Sequence, residues 1–411
     1  EALADVLKSK MTSLIGDEKE LADRIEVSDL NAIGKRLFSE AGSGLQIADI
    51  PTTKDILTAV ADRVSKGKFT HHFVWMEFHD VVDAWQLNTW DEYRDVQRLG
   101  RKTRLAEGGR QQLWDIFTEF RNELAKQKLV TNAGMFAAAT THVQQLAKPP
   151  FDFIIVDEAQ DLSVSQLRFL GAIGKKEPES LFFAGDLGQR IFEPPFSWKS
   201  LGVDIRGRSR TLKINYRTSH QIRQQADRLL PPELADVDGN SEKRSGTVSL
   251  FNGPPPTIRI FDDPQEECSA VSAWIKETLN AGVLPQEIGV FVRSPAQFER
   301  AKTAIEKAGA ECNTIEQRVI FQLNHINLMT MHLAKGLEFR AVAVMACDDE
   351  ILPLQERIST VADDSDLKEV YNTERHLLYV ACTRARDQLL VTGVEPASEF
   401  LDDLLQRILV D

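Results

Sequence analysis

The spacing of apolar residues predicts helices for the first part of the chain. Residues 1–23 repeat apolar side chains at helical intervals, residues 24–27 are a short strand candidate, and residues 29–41 return to helical spacing. From about residue 52 to residue 146 the pattern is helical and rich in aromatic side chains, which predicts an all-helical insertion. Three of these aromatics recur at a spacing of three, more typical of a core than of a base-stacking platform: Trp114, Phe117 and Phe120.

A change of character at Pro149-Pro150 marks the start of an α/β region. Phe151 to Val156 is a short apolar run, typical of a strand that is buried on both faces of a parallel sheet. Residues 181–184 and 211–214 are similar. The polar, acidic stretch from Pro231 to Ser245 is predicted to be a loop.

The rest of the chain alternates between strand and helix patterns, after a linker or turn at residues 253–256. Strands are predicted at 258–261, 288–292, 328–331, 341–346 and 388–392, and helices at 266–280, 296–309 and 371–383. Such alternation favours a parallel sheet covered on both sides by helices. Two α/β units in one chain predict a cleft between them.

Composition places the chain among globular proteins. Its 411 residues suggest two or three domains, and 42% hydrophobic with 27% charged residues is ordinary. No run of 18 apolar residues is present, and residues 1–5 lack the features of a signal peptide, so we expect a cytoplasmic protein without membrane contact. No C-x-x-C pair occurs, which favours buried free thiols over a metal site at the four cysteines, Cys268, Cys312, Cys347 and Cys382.

The net charge of −13 argues against indiscriminate coating of nucleic acid, because phosphate contacts drive non-specific binding. A local basic groove is still compatible with this charge. Two basic groups are candidates, each either a nucleic-acid contact or a solvated face: Arg98, Arg101, Lys102, Arg104 and Arg110 in the first, and Arg206, Arg208, Arg210 and Lys213 in the second.

Two carboxylates directly follow the first predicted buried strand. Asp157 and Glu158 would lie at the carboxyl end of a parallel strand, where open α/β sheets bind ligands. In phosphoryl transfer an Asp at this place holds Mg²⁺, and a neighbouring Glu can orient and deprotonate the attacking water. An acidic helix N-terminus is the alternative for the pair alone, but Asp-Glu-Ala-Gln-Asp after an apolar strand is a much more specific signal.

Further polar residues follow other predicted strands. Gln189 comes three residues after Asp186, where an amide can sense a γ-phosphate, and Phe192 is placed to stack on a base. Arg217 and Arg384 lie in the second unit, and arginine suits the charge that develops on a transferred phosphoryl group. Supplying such arginines across a cleft would couple chemistry to closure.

A strand-to-turn segment adds a third set of candidates. Thr330 and His332 are able to hydrogen-bond a phosphodiester backbone, and Glu338 to accept a hydrogen bond from a ribose hydroxyl. His332 alone would equally suit a structural histidine. The surrounding Ala334-Lys335-Gly336-Leu337-Glu338-Phe339 motif favours the functional interpretation.

One expected motif is missing. No G-x-x-x-x-G-K-[ST] loop occurs, and the three Gly-Lys pairs, at residues 34–35, 67–68 and 174–175, are never followed by Ser or Thr. That loop supplies the amides and the lysine that hold a triphosphate. Without it, the other candidate residues have little to act on.

Taken in order, these motifs resemble the UvrD/Rep-type DNA helicases of superfamily 1 over nearly the whole chain. The motifs are DEAQD at 157–161, GDLGQ at 185–189, NYR at 215–217, AKGLEF at 334–339 and TRAR at 383–386. The resemblance implies an α/β fold of two RecA-like P-loop NTPase domains that hold ATP and Mg²⁺ between them. It also implies movement on single-stranded DNA, generally 3′ to 5′, or binding to a single/double-strand junction.

The resemblance assigns a role to each matching position. Asp157 would hold Mg²⁺, Glu158 would be the catalytic base, Gln189 would contact the γ-phosphate and the attacking water, and Arg217 and Arg384 would be arginine fingers. Gly336 and Glu338 would contact the nucleotide, and the implied DNA contacts are Phe192, Thr330, His332 and Asn31. The Asn31 contact is in doubt, because Ser-Asp-Leu-Asn stands where the family has Thr-x-His.

Two departures from the family pattern shape the expected domains. The phosphate loop would lie upstream of Glu1, so the first RecA-like domain is expected to be incomplete, at residues 1–45 and 147–215, around a helical insertion at 46–146. The second RecA-like domain, at 216–411, has little room for a second inserted domain. An incomplete first sheet should expose apolar edges and favour self-association.

Two functions of different classes follow from this pattern. The first is an ATP-dependent DNA helicase or translocase, present here as a fragment that is inactive alone. The alternative is an ATP-independent DNA- or protein-binding scaffold derived from a helicase. Retention of Asp157, Glu158 and both arginines favours the first, and a RecA-like kinase would not explain the segment from Thr330 to Phe339.

Overall fold

A computed structural model describes residues 2–16, 18–65, 67–96, 105–175, 177, 179–186, 198, 201, 203, 208–231, 233–235, 241–243, 247–316, 320–359 and 364–405. The helices are α1 Ala2–Ile15, α2 Lys19–Ala22, α3 Leu30–Glu40, α4 Ile50–Ser65, α5 His71–Glu77, α6 Trp90–Asp95, α7 Glu107–Lys126, α8 Asn132–Gln144, α9 Val164–Ile173, α10 His220–Ala226, α11 Pro264–Asn280, α12 Phe298–Lys307, α13 Gln355–Ser359, α14 Asp364–Cys382 and α15 Glu399–Leu405. The strands are β1 Gln46–Ile47, β2 Leu129–Val130, β3 Ile154–Val156, β4 Leu181–Phe183, β5 Ile214–Asn215, β6 Glu233–Ala235, β7 Ser241–Lys243, β8 Val248–Ser249, β9 Thr257–Phe261, β10 Ile288–Val292, β11 Glu311–Ile315, β12 His325–Thr330, β13 Phe339–Val344 and β14 Ala385–Val394.

Side-chain caps fix where several helices begin. Asp29 accepts a hydrogen bond from the Ala32 amide at the start of α3, and Ser163 forms a capping box with Gln166 at the start of α9. Asp263 accepts hydrogen bonds from the amides of Gln265 and Glu266, and Pro264 is the first residue of α11. These caps satisfy amides that have no partner within the helix.

Helices α4 to α7 pack around a core of their own. Phe117 and Phe120 are fully buried there and pack against Phe78, with ring centroids 5.6 and 4.8 Å apart. Trp114 is partly buried and stacks on Tyr93 at 5.5 Å. The spacing-of-three prediction of a helical core is therefore confirmed.

Strands β3 and β4 form a two-stranded parallel sheet that is packed on one face only. Helices α3, α8 and α9 share a core with its inner residues, Ile154, Val156 and Phe183. The outer face is open: Ile155 is paired with Phe182, and these side chains are 78% and 61% exposed. The prediction that residues 151–156 are buried on both faces was wrong, because no layer of the described residues covers the outer face.

Three smaller predictions also differ from the structure. Residues 24–27 form no strand, since they have no partner strand in the described part of the chain and Ile25 is exposed. Of residues 211–214, only Ile214 lies in a strand, β5, which pairs with β8. Its side chain is 52% exposed, so the predicted burial was wrong. The stretch from 231 to 245, predicted as a loop, includes an antiparallel pair, β6 and β7.

The second half of the chain builds a six-stranded parallel sheet in the order β11-β12-β10-β13-β14-β9. The central strand β10 is fully buried along its length, because helices cover both faces. One face packs against α10, α14 and α15, and the other against α11 and α12. This arrangement confirms the predicted parallel sheet.

The four cysteines are unpaired in disulfides, and most of them are buried. Cys268, Cys347 and Cys382 are buried, Cys312 is partly buried, and all four are free thiols. None of the helices in the described ranges is long and apolar enough to cross a membrane.

Candidate nucleotide and DNA site

The site begins at the carboxyl end of β3, where the backbone takes a strained turn. Glu158 has a φ of 55° and a ψ of 37°, in the left-handed region that non-glycine residues rarely adopt. The exposed Asp157 carboxylate accepts a hydrogen bond from the Glu158 amide at 2.9 Å. Strain of this kind persists where the surroundings hold it, which is frequent at functional sites.

Gln160 connects the two strand ends. Its Nε2 donates to Glu158 Oε2 at 2.6 Å, and its Oε1 accepts from the Asp186 amide, after β4, at 3.0 Å. The side chain itself is buried. A Cβ at position 185 would lie 2.5 Å from Gln160 Oε1, so a glycine is needed there for the two strand ends to approach.

A tight turn of the second half of the chain faces these carboxylates. The Leu337 amide donates to the Ala334 carbonyl at 3.1 Å, Lys335 has φ −62° and ψ 135°, and Gly336 has φ 75°. These angles define a type II turn, in which the third residue needs positive φ and is therefore glycine. The turn explains the Lys-Gly pair in the sequence and presents Lys335 at its corner.

Lys335 joins the two halves of the site. Its Nζ lies 3.3 Å from Glu158 Oε2 and also forms an ion pair with Asp161 Oδ2. The lysine side chain is only 10% exposed. The motif at 157–161 and the motif at 334–339 are thus in direct contact.

Arg384 lies at the same junction and is completely buried. Its guanidinium donates to the carbonyls of Val380, at 3.1 Å, and Leu337, at 3.4 Å. Burial lowers the pKa of Arg384 to about 10, and the positive charge of Arg217 acts in the same direction. The carboxylates of Glu158 and Asp186 oppose that shift, which places the arginine within electrostatic reach of the β3 and β4 ends.

Arg217 is held next to Arg384 by its own motif. Asn215 Oδ1 accepts from the Arg217 amide at 2.8 Å, which fixes a turn after β5. Thr218 then donates to the Thr383 carbonyl at 3.3 Å. The segments around residues 215–218 and 383–386 therefore pack together, and the charge of Arg217 acts on Arg384.

Thr330 ends β12, and His332 lies in the turn that follows, near the charges of Arg293, Arg357 and Glu374. Burial lowers the pKa of His332 to about 4, with the charges of Arg293 and Arg357 acting in the same direction. The imidazole is therefore neutral near pH 7. A neutral His332 is able to donate a hydrogen bond to a phosphate oxygen, but it supplies no positive charge.

The other predicted residues are more scattered. Glu338 and Asn31 are exposed, and Asn31 contacts Asn132, 3.5 Å away, on a separate helix. Gln189 and Phe192 lie outside the described residues. The same holds for five of the basic candidates: Arg98, Arg101, Lys102, Arg104 and Arg206. Arg110 donates to backbone carbonyls of α6, which is a structural contact, whereas the other basic candidates are exposed: Arg208, Arg210 and Lys213.

Four residues of the site were not assigned from the sequence: Gln160, Asp161, Gly185 and Lys335. All four stand inside motifs that the sequence displays. Their roles depend on contacts between strand ends or between the two halves of the chain, which spacing does not reveal.

Comparison with known families agrees with this geometry. Residues 4–197 match the UvrD/REP helicase N-terminal domain, and residues 316–395 match the UvrD-like helicase C-terminal domain. Together these matches cover well over half of the chain. The chain belongs to the UvrD/Rep-like helicase family. Its parallel sheets, which meet at the motif-bearing ends, are those of two RecA-like domains.

Curated relatives support the same family. A probable DNA helicase of Mycoplasma pneumoniae is 25% identical over 254 residues, which is 60% of this chain and 44% of that protein. DNA helicase IV of Escherichia coli is 25% identical over 257 residues, 58% of this chain and 33% of that protein. The chain therefore spans less than half the length of these relatives.

A shorter curated match has higher identity, and one solved structure was also compared. The helicase PcrA of Staphylococcus epidermidis is 42% identical over 70 residues, 17% of this chain and 9% of that protein. A solved C-terminal domain of a possible DNA helicase from Lactobacillus plantarum is 21% identical, covering 46% of this chain and 94% of that one at a TM-score of 0.33.

Proposed function

We propose that the chain is part of an ATP-dependent DNA helicase or translocase that moves 3′ to 5′ on single-stranded DNA. One observation carries the proposal: Glu158, strained at the end of β3, forms an ion pair with Lys335 of the other RecA-like domain and lies within electrostatic reach of Arg384. Chemistry placed between two domains is coupled to their relative movement, as a motor requires.

Each side chain takes a specific part in the proposed reaction. Glu158 accepts the proton of the attacking water, and Arg217 and Arg384 stabilise the charge that develops on the transferred phosphoryl group. Gln189 orients the water, and Gly336 and Glu338 contact the nucleotide. Thr330, His332, Phe192 and Asn31 bind the DNA strand.

The residues around Asp157 fit a magnesium ion that arrives with a nucleotide. The described part of the chain has no group of three or more His, Cys, Asp or Glu side chains that would hold a metal by itself. Mg²⁺ is commonly held by one or two carboxylates together with substrate phosphates, and the exposed Asp157 suits that use. Bound there, the ion would neutralise phosphate charge.

Hydrolysis also requires a phosphate loop, which these 411 residues do not contain. We propose that the chain alone hydrolyses almost no ATP and that added polypeptide supplies the loop on a further strand of the first sheet. Ile155 and Phe182 lie on a face of β3 and β4 that no other described residue covers, which supports added polypeptide at this sheet, since parallel sheets are normally covered on both faces. Without that polypeptide, the same face favours self-association.

The test is single-stranded-DNA-stimulated ATPase activity. It would be measured on this chain and on a longer polypeptide of the same gene that contains a G-x-x-x-x-G-K-[ST] loop. We expect activity only in the longer protein, lost on Glu158→Gln and kept in Glu26→Gln, a control at an exposed ion pair. Activity that survives Glu158→Gln would refute the assigned base.

The alternative is an ATP-independent DNA- or protein-binding scaffold. The absence of a phosphate loop from the sequence favours it. The two functions separate in the same experiment: a scaffold binds single-stranded DNA equally well with and without ATP, and the longer protein shows no hydrolysis.

A further inference from the structure

We infer that Lys335 is a positioning residue that fixes the carboxylates of Glu158 and Asp161 from the opposite domain. The site at the end of β3 is then assembled only while the two domains touch. The inference deepens the proposed function and depends on it only where Glu158 is named as the base.

A hydrogen-bonded turn fixes the backbone at Lys335. It stands at the corner of the type II turn from Ala334 to Leu337, and Gly336 supplies the positive φ that the turn needs. Arg384, which is itself buried, donates a hydrogen bond to the Leu337 carbonyl of this turn at 3.4 Å. The lysine is therefore carried by a supported part of the second domain.

The contacts divide the two oxygens of Glu158. Oε2 receives the Gln160 amide at 2.6 Å and lies 3.3 Å from the Lys335 ammonium. No hydrogen bond to Oε1 is found among the described residues. One oxygen is thus held by two donors, while the Glu158 side chain as a whole stays 24% exposed.

Charge explains why a lysine is needed at this place. Glu158 and Asp161 lie close enough to share one ammonium, and their side chains are only 24% and 22% exposed. Two carboxylates held together repel each other more strongly as water is excluded. Lys335 compensates both, so its removal should let the 157–161 segment move and loosen the domain contact.

Hydrogen–deuterium exchange of the 411-residue chain tests this without nucleotide or DNA. Lys335→Met keeps the length of the side chain and removes its charge. We expect exchange at residues 157–163 and 331–338 to become about tenfold faster in this variant. Lys335→Arg, which keeps the charge, should restore exchange to within about twofold of the wild type.

Two further variants complete the test. Lys302→Met is the matched control, because Lys302 is exposed and only 3.9 Å from Glu306, and it should change neither segment. Asp161→Asn removes the partner on the first domain and reports on the same contact even if Lys335→Met fails to fold. Exchange in the double variant, Lys335→Met with Asp161→Asn, should be no faster than in the faster of these two single variants.

The outcomes are distinct. The inference is overturned if Lys335→Met exchanges at the wild-type rate, or if Lys335→Met and Lys335→Arg speed exchange equally. It is also overturned if the effects of Lys335→Met and Asp161→Asn on the exchange rate add up in the double variant. None of these measurements requires ATP hydrolysis. A longer protein without ATPase activity would therefore refute the proposed function and leave this result standing.

Discussion

A buried ion pair between Arg293 and Glu374 joins the end of β10 to α14. Arg293 follows β10, and its Nε and Nη2 donate to Glu374 of α14 at 2.5 and 2.7 Å. Arg357 adds a third hydrogen bond at 3.0 Å. Glu374 is 0% exposed and the Arg293 side chain 5%. Glu374→Gln would leave the arginine charge buried without its counter-ion.

The expected cost follows from this burial. Breaking a buried pair by removing one partner costs about 3–5 kcal/mol, whereas an exposed pair contributes about 0–1 kcal/mol. Glu26→Gln is the matched control, since its pair with Arg36 is similar in length, at 2.6 Å, but the side chains are 36% and 47% exposed. Replacing both buried partners, Arg293→Met with Glu374→Leu, should recover most of the loss.

Urea unfolding followed by circular dichroism measures these differences. Burial alone would raise the pKa of Glu374, but the hydrogen bonds and charges of Arg293 and Arg357 outweigh it and hold that pKa below the usual 4.5. The stabilisation by this carboxylate is therefore complete above about pH 4.5 and is lost as pH falls through the lower folded-state pKa. A Glu374→Gln loss no larger than that of Glu26→Gln would refute the reasoning.

Three further predictions concern the core and the site. Phe120→Ala should lower the free energy of unfolding by about 3–5 kcal/mol in urea melts, and a loss under about 1 kcal/mol would contradict its full burial. Gly185→Ala should destabilise by about 1–3 kcal/mol because its Cβ meets Gln160 Oε1 at 2.5 Å, while Gly171→Ala, with open space, should not. His332 should titrate near pH 4 by NMR, with stability falling as pH drops from 6.5 toward 4, and a midpoint near 6.5 would contradict its burial.

The sequence by itself determined the class of fold and the order of the motifs. Alternating strand and helix patterns predicted the parallel sheet of the second domain, where apolar runs such as residues 288–292 are buried on both faces. Its polar strand β11 was missed, because alternating exposure at the sheet edge leaves no apolar run. Local spacing also predicted the buried positions of Phe117 and Phe120, because the periodicity of a helix is visible between residues that are near in sequence.

Only the tertiary structure decided which face of a strand is covered and which motif residues meet. The apolar run at 151–156 suits a doubly buried strand, yet its exposure depends on a neighbouring layer that the run does not encode. The contacts of Lys335 with Glu158 and Asp161 join positions more than 170 residues apart. Such contacts arise from the packing of two domains, whereas sequence spacing reports only on neighbours along one element.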